Sequence, residues 1–406
     1  HLEHHELLSY EVCLKLKSSG VSKPLRFSYI CLTMENFIVS ARKYRPSKFL
    51  DVVGQEQVSE TLKKALSSGK LAQSFLFCGP RGVGKTTCAR ILAKAINCEN
   101  PGADFEPCGQ CNSCTAFNQN ASFNIFELDA ASNNSVDDIR TLVDQVRFAP
   151  QSGKYKVYII DEVHMLSSGA FNAFLKTLEE PPSYAIFILA TTEKHKIIPT
   201  ILSRCQIFDF KRISDKDIVK QLQKICESEG VVAEPSALHV IAQKADGGLR
   251  DALSLFDKIV SYAGKKVTYH DVITNLNILD HDYYFKITEY FMLEDSSSVL
   301  NAFNEIINNG FDGEMFLLGM AEHFRNLLIS KDERTVQLLE AADDIKDKYF
   351  KQANLVNETF LLNALNVINQ CDIEYKTAKN KRLHVELALL KVCFLNTQIE
   401  NTLSVI

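Results

Sequence analysis

Short apolar runs alternate with amphipathic stretches through the first half of the chain. Five runs are typical of buried strands, namely "SFLF" from residue 74, "NIFELDA" at 124–130, "KVYIID" from 156, "AIFILATT" at 185–192 and "CQIFDF" at 205–210. Stretches with apolar residues at helical spacing lie between them, such as "TTCARILAKAI" from residue 86. The alternation predicts an α/β fold with a mostly parallel sheet and helices on both of its faces.

The second half of the chain has a helical pattern. After Arg212 the sequence predicts three short amphipathic helices, which begin near Ser214, Ser236 and Leu249. From about residue 278 the chain is helical throughout. Two apolar stripes mark this part, one of Val299, Leu300, Phe303, Ile306 and Ile307 and the other of Val385, Leu389, Val392 and Cys393.

These shifts in pattern predict a domain organisation. We expect an α/β domain at residues 34–212, a small three-helix domain at 213–277 and an all-α domain at 278–406. Residues 1–33 precede the first Met and show neither a secretory signal nor a clear helical period. We therefore expect an upstream or vector-derived extension there, outside the fold.

Composition limits the classes of function. With 406 residues and 46% hydrophobic positions, the chain can bury a sizeable core in two or three domains. The net charge is −5, with Lys and Arg scattered throughout, which excludes a uniformly basic surface for coating nucleic acid. Any contact with DNA must therefore be local. No apolar run approaches the roughly eighteen residues of a membrane helix, so no membrane partner is expected.

The loop after the first strand has the pattern of a phosphate-binding loop. Gly79 is followed by four residues and then by "GKT" at 84–86, in the frame G-x-x-x-x-G-K-[ST]. Such glycines let backbone N–H groups converge on phosphates at a helix N-terminus, while Lys85 meets the β and γ phosphates and Thr86 binds magnesium. A chance Gly-rich turn is the alternative. The expected nucleotide contacts are Gly79, Pro80, Arg81, Gly82, Val83, Gly84, Lys85, Thr86 and Thr87.

Two carboxylates end the strand "KVYIIDE". Asp161 is expected to hold magnesium, usually through water, and Glu162 to orient and polarise an attacking water. Solvated carboxylates at a strand end are the alternative. At the end of a neighbouring strand, Thr191 or Thr192 could hydrogen-bond the water or the γ phosphate, although a plain strand-terminating Thr pair is equally compatible. This combination favours a hydrolase over a kinase.

Four cysteines follow the helix after the loop. Cys98, Cys108, Cys111 and Cys114 form C-x9-C-x2-C-x2-C, with Gly and Asn available for tight turns. Four thiolates leave no open coordination position, so we expect a structural rather than catalytic zinc. Disulfides, a redox centre and an iron–sulfur cluster are the alternatives; a nucleotide-using chain without a secretory signal argues against disulfides.

Together these segments resemble a known family. "ARKYRPSKFLDVVGQEQV", the phosphate-binding loop, the four cysteines, "ELDAASNNSVDDIR", "YIIDEVHMLS", "FNAFLKTLEEPP", "ILSRCQIFDF" and "GGLRDALSLFD" are similar to the gamma/tau subunits of bacterial DNA polymerase III, the AAA+ ATPases of the clamp loader. The resemblance runs from Met34 to about Leu395. Several motifs are shared by AAA+ ATPases in general, whereas the cysteine insert and the phrase around Arg204 point to clamp loaders.

The resemblance implies roles for further residues. Arg204 in "SRC" resembles an arginine finger that acts in a neighbouring subunit's site, and Arg250 resembles the sensor-2 arginine of a lid domain. Of the two threonines at 191 and 192, Thr192 is the one expected to take part in catalysis. Tyr44, Val52 and Val53 would line an apolar slot for the adenine, with core packing as the alternative. Weak candidates for DNA phosphate contact are Asn133, Asn134 and Arg140, which could also simply cap and flank a helix.

The resemblance also implies a function. The chain would be an ATP-driven motor of the clamp loader, with ATP, Mg²⁺ and Zn²⁺ as cofactors and a cytoplasmic, nucleoid-associated location. Its expected partners are delta-type and delta-prime-type subunits, copies of itself, the beta sliding clamp and primed DNA. The all-α domain would be the collar through which subunits associate, or else a self-contained bundle.

Two other functions remain open. One is a different AAA+ DNA motor of the branch-migration helicase type, and the other is a non-hydrolysing clamp-loader scaffold subunit. DNA synthesis is not expected, because nothing in the sequence resembles the acidic metal cluster of a polymerase. This holds although the resembling family is named after the DNA polymerase III holoenzyme. The segments with which a longer tau form contacts polymerase and helicase are not expected in these residues either.

Overall fold

A computed structural model describes residues 38–102, 104–150, 153–276, 278–332, 334–335, 338–339 and 343–395. The extension expected at residues 1–33 lies outside these described residues. The chain divides into one unit at residues 1–38 and a second at 39–406. All elements described below belong to the second unit.

All five expected strands are present and form one sheet. They are β1 (Ser74–Cys78), β2 (Ile125–Asp129), β3 (Lys156–Asp161), β4 (Ala185–Thr191) and β5 (Gln206–Asp209). The strand order is β2-β3-β4-β1-β5, and every neighbouring pair is parallel. The helices that accompany the sheet are α1 (Ser40–Lys43), α2 (Glu56–Ser68), α3 (Lys85–Ile96), α4 (Asn112–Asn118), α5 (Val136–Val146), α6 (Ser168–Glu179) and α7 (Pro199–Leu202).

The sheet is buried on both faces, which explains why its strands read as continuous apolar runs. Phe75 and Phe77 of β1 point into one core, which contains residues of α2, α3 and α4. Leu76 and Cys78 of the same strand point into the other core, with residues of α5, α6 and α7. The α/β fold with a parallel sheet and helices on both faces is thus confirmed.

Strand register brings the chemically interesting residues to one edge. Asp129 at the end of β2 lies opposite Asp161 at the end of β3. Cys78 at the end of β1 lies opposite Thr191 at the end of β4. Because all of these strands are parallel, their carboxyl ends share the edge at which open α/β sheets bind ligands.

The three helices expected after Arg212 are confirmed as α8 (Asp215–Glu229), α9 (Pro235–Lys244) and α10 (Leu249–Ala263). The Ser214 side chain caps α8 by accepting from the Asp217 N–H, and Gly230 ends that helix with φ +64°. A parallel two-stranded ribbon, β6 (Val232–Ala233) with β7 (Lys266–Val267), and a fourth helix, α11 (Tyr269–Asn275), were not predicted. Strands of two residues carry too little periodicity to be read from a sequence.

The rest of the described chain is helical, as expected. It contains α12 (His281–Met292), α13 (Ser296–Asn308), α14 (Gly313–Ile329), α15 (Asp343–Ala353), α16 (Glu358–Tyr375) and α17 (Lys381–Cys393). These helices share a hydrophobic core of their own, in which both predicted stripes are largely buried. Within the described residues, no helix has the length and apolar character needed to cross a membrane.

Candidate active site

A cavity of about 510 Å³ opens at the carboxyl edge of the sheet. The phosphate-binding loop and the ends of β2 and β3 form one side of it. The segment after α1 and the start of α10 form the other. The lining brings together most of the residues predicted from the sequence, namely Tyr44, Val52, Val53, Arg81, Gly82, Val83, Gly84, Lys85, Thr86, Thr87, Asp161, Glu162 and Arg250.

The loop conformation requires glycine at its first position. Gly79 has φ +150°, and a Cβ there would lie 2.5 Å from the carbonyl oxygen of Phe210. Its N–H donates to the Thr191 carbonyl at 3.2 Å, which fixes the start of the loop to β4. The loop therefore leaves the sheet along a path that a larger residue would block.

Lys85 lies inside the loop at the N-terminus of α3. Its ammonium donates to the carbonyl oxygens of Gly79 at 2.8 Å and Pro80 at 2.7 Å, and the residue is only 5% exposed. Burial lowers the pKa of Lys85, while the nearby Glu162 and Asp161 carboxylates oppose that shift. The cation is thus held at the end of the helix where anions bind.

The two expected magnesium ligands are in direct contact. The Thr86 hydroxyl donates to Asp161 Oδ2 at 2.6 Å, across the gap between α3 and β3. Asp161 Oδ1 accepts the N–H of Glu162 at 3.0 Å. Hydroxyl and carboxylate oxygens are the hard donors that magnesium prefers, so the donor set fits this ion.

Glu162 turns sharply away from β3, with φ +47°. Its Oε2 accepts from the Thr192 N–H at 3.1 Å and from the Thr192 hydroxyl at 3.0 Å. Thr191 is fully buried instead, and its hydroxyl contacts Nδ1 of His164 at 3.0 Å. Of the two threonines, Thr192 is therefore the one that touches Glu162.

Residues of the helical part close the cavity. The Arg250 N–H donates to the Gly82 carbonyl at 3.4 Å, and a Cβ on Gly248 would lie 3.2 Å from the Arg81 carbonyl. The α1 segment is joined to the same part, because the Ser40 N–H donates to Asp257 at 2.6 Å. These contacts place Arg250 beside the phosphate-binding loop.

Arg204 is not among the described residues that line this cavity. Its guanidinium donates to Glu179 Oε1 at 2.8 Å and to the Thr200 carbonyl at 2.7 Å, and its side chain is 33% exposed. The finger candidate is therefore at the surface, after α7, and is paired within its own chain.

The three DNA-contact candidates lie around the start of α5. Ser135 caps this helix in a capping box with Asp138. Asn133 donates from its side chain to the Asp129 carbonyl at 3.1 Å, and Arg140 is exposed and pairs with Asp137 at 3.4 Å. Asn134 accepts the Ser167 N–H through its carbonyl at 3.3 Å, so the starts of α5 and α6 are neighbours.

The four cysteines converge. Their sulfur atoms all lie within 4.8 Å of one another, and all four thiols are free. Backbone N–H groups of Gln110 and Cys111 donate to Cys108 Sγ and lower the pKa of that thiol to about 6. The four sulfur atoms are therefore close enough together to bind one tetrahedral zinc ion. None of these four residues forms a disulfide in the described part of the chain.

Sequence reasoning missed three residues at the site. Arg45 lines the cavity next to Tyr44, Asp129 lines it at the end of β2, and His164 contacts both Thr191 and Glu162. Asp129 could have been found because it ends β2 as Asp161 ends β3. His164 lies two residues after Glu162, but its contacts depend on how the chain turns there.

Known families match consecutive parts of the chain. Residues 54–214 match the family described as "DNA polymerase III, delta subunit", and residues 217–265 match "DNA polymerase III clamp loader subunit, ATPase lid domain". Residues 267–405 match "DNA polymerase III subunits gamma and tau domain III". The three matches together cover the α/β part and both helical parts.

Individual relatives agree with these matches. DNA polymerase III subunit tau of Bacillus subtilis is 42% identical over 352 residues, which are 87% of this chain and 62% of that protein. DNA polymerase III subunit gamma of Buchnera aphidicola is 34% identical over 357 residues, which are 88% of this chain and 99% of that protein. The chain thus spans less than two thirds of the tau relative's length and nearly all of the gamma relative's.

Among solved structures, the chain is similar to the Thermotoga maritima RuvB Holliday junction branch migration motor. The TM-score is 0.43 at 20% identity, over 61% of this chain and 78% of that one. A likeness this distant carries no further argument.

Proposed function

This chain belongs to the gamma/tau family of DNA polymerase III subunits, and from that membership and the geometry of its nucleotide cavity we propose that it hydrolyses ATP to load a sliding clamp onto primed DNA. The observation that carries this proposal is the convergence of Lys85, Thr86, Asp161 and Glu162 on one cavity. A non-hydrolysing scaffold subunit is disfavoured, because each of these four residues is intact and in place.

Each residue of the cavity would have a separate role in ATP hydrolysis. Backbone N–H groups of the loop and the Lys85 ammonium would bind the β and γ phosphates. Thr86 and Asp161 would hold magnesium, which neutralises phosphate charge when bound. Glu162 would orient the attacking water and accept its proton, with Thr192 holding the carboxylate in place. Arg250 would reach the γ phosphate from the lid, and Tyr44, Val52 and Val53 would cover the adenine.

The proposal extends to an assembly of several subunits. Arg204 would complete the site of a neighbouring subunit, and its surface position outside the cavity of its own chain supports that role. The division into 34–212, 213–277 and 278–406 is supported by the separate hydrophobic cores of these parts. The last would form a collar with copies of this chain and with delta-type and delta-prime-type subunits.

DNA would be recognised through its phosphates. The N-terminal end of α6 carries partial positive charge and adjoins the start of α5, where Asn133, Asn134 and Arg140 lie. Several subunits would repeat these contacts along primed DNA while holding the beta clamp. These repeated contacts are compatible with the modest net charge, and the proposed location is the cytoplasm, at the nucleoid.

The cysteine cluster would hold a structural zinc ion. Metal analysis of freshly purified, reduced protein is expected to find about one zinc per chain. The double change Cys108→Ser and Cys111→Ser should remove the metal and lower folding stability more than ATP affinity, because the cluster lies outside the nucleotide cavity. The buried Cys226→Ser in the helical part is the matched control and should keep the zinc. Four free thiols without metal in the unchanged protein would contradict this assignment.

Clamp transfer tests the function itself. Assemblies reconstituted with the other clamp-loader subunits should move a labelled beta clamp onto primed circular DNA in the presence of ATP, measured by co-elution of clamp with DNA. Assemblies that contain Lys85→Ala should not. Equal transfer by both assemblies, or none by the unchanged one, would contradict the proposal. A branch-migration motor would instead move along duplex DNA without a clamp.

A further inference from the structure

The turn after β3 carries a histidine that the proposed hydrolysis does not use. Val163, His164 and Met165 form a single 3-10 turn directly after Glu162. Val163 is fully buried and anchors the turn against the core, and the His164 side chain is only 6% exposed. The ring is therefore held inside the site rather than at the surface.

Both ring nitrogens of His164 have partners. Nδ1 lies 3.0 Å from the Thr191 hydroxyl and 3.4 Å from Glu162 Oε2. Nε2 lies 3.1 Å from Glu193 Oε2. Through Thr191 and Glu193, the ring thus connects the turn after β3 with the two residues that flank Thr192 at the end of β4.

In this cluster each hydrogen-bond donor meets an acceptor. The Thr191 hydroxyl accepts the Glu193 N–H at 3.0 Å, so it is free to donate its own proton to Nδ1. A ring with its proton on Nε2 then donates to Glu193. Lys196 fixes that carboxylate from outside, with its ammonium 2.6 Å from Glu193 Oε2.

The contacts of Glu162 with this cluster all reach one oxygen. Thr192 donates twice to Oε2, and the His164 ring lies beside the same atom. Within the described part of the chain, no hydrogen bond reaches Oε1. Glu162 also lines the cavity, so its carboxylate is held through one oxygen at the place where a base acting on a cavity water is needed.

We propose that His164 is a positioning residue that fixes the orientation of the Glu162 carboxylate by linking the turn after β3 to Thr191 and Glu193 at the end of β4. The inference rests on the proposed ATP hydrolysis and on the role of Glu162 as its base. His164 is not among the described residues that line the cavity, so it should influence the rate of the chemical step and leave nucleotide affinity unchanged. A displacement of about 1 Å at a catalytic group can cost as much as about 100-fold in rate.

The test compares variants that keep or remove the ring nitrogens. His164→Phe keeps the size of the ring and loses both nitrogens, whereas His164→Asn retains an amide near the place of Nδ1. We expect kcat to fall at least about tenfold in His164→Phe and to recover partly in His164→Asn, with the Kd for ATP within about twofold in both. His195→Asn, an exposed histidine on the same segment as Glu193, is the matched control and should hydrolyse ATP within about twofold of the unchanged protein.

A second variant probes the link through Thr191. Thr191→Val keeps the shape of the buried side chain and removes the hydroxyl, so it should lower kcat in the same direction. If both residues act through one link, the double variant should be little worse than the worse single variant. Fully multiplicative losses would overturn the proposal.

Other outcomes separate the two proposals. If the unchanged protein hydrolyses ATP, Glu162→Gln does not, and His164→Phe matches the unchanged protein, only the role of His164 is wrong. Equal losses in His164→Phe and His164→Asn, accompanied by weaker ATP binding, would mean that the histidine merely supports the fold and would also overturn it. Absence of hydrolysis in the unchanged protein, or full activity of Glu162→Gln, would overturn the proposed function together with this inference.

Discussion

Arg204→Ala is expected to slow ATP hydrolysis by roughly 10³-fold or more while leaving ATP binding nearly intact. An arginine finger stabilises charge on the transferring phosphoryl group, and such a residue contributes roughly 10³ to 10⁵ in rate. Steady-state hydrolysis and nucleotide affinity of the reconstituted assembly measure the two effects separately. Glu179→Gln, which removes the negative charge that pairs with Arg204 in its own chain, is the matched control and should change the rate little.

The proposal that Arg204 acts in a neighbouring subunit's site has a further testable consequence. Arg204→Ala subunits have a normal phosphate-binding loop, and Lys85→Ala subunits have a normal finger. Mixed assemblies should contain some sites with both groups intact, so activity should reappear on mixing. If verified mixed assemblies stay as inactive as either parent, Arg204 acts within its own chain or only holds the interface.

Glu162→Gln is expected to bind ATP and to hydrolyse it roughly 10² to 10⁴ times more slowly, the range of a general base. The amide keeps the size of the carboxylate and its acceptor oxygen for the two Thr192 donors, but it cannot take a proton from water. Lys85→Ala should instead lose the nucleotide itself, because the cation inside the loop is removed. Equilibrium binding of labelled ATP and single-turnover hydrolysis distinguish the two variants. If Glu162→Gln turned over at the unchanged rate, another base would have to be sought.

The sequence predicts most of the sheet and the core of the site. The strands are recognisable because both faces of the sheet are covered, so their apolar runs are uninterrupted. The contact between Thr86 and Asp161 follows from two local motifs whose strands share one edge. A helix after Asn134 was predicted from the residues that could cap and flank it, and the structure places α5 there, with Ser135 as its cap.

Other features depend on contacts that no local pattern records. The choice between Thr191 and Thr192 is decided by the positive φ of Glu162, which turns that carboxylate toward Thr192. The contacts of His164 form only when β3, β4 and the turn after β3 are packed together, so they could not be predicted from the sequence. The pairing of Arg204 with Glu179 joins the ends of two helical segments and likewise could not be predicted from the sequence.

The central claim is that this chain couples ATP hydrolysis to a clamp and to primed DNA. The most direct measurement is the steady-state ATPase rate of the reconstituted assembly alone, with the beta clamp, with primed DNA and with both. We expect the highest rate when clamp and primed DNA are present together, and a rate at background in assemblies of Lys85→Ala. An ATPase rate that does not change when the clamp is added, or that reaches its maximum with duplex DNA alone, would contradict the account.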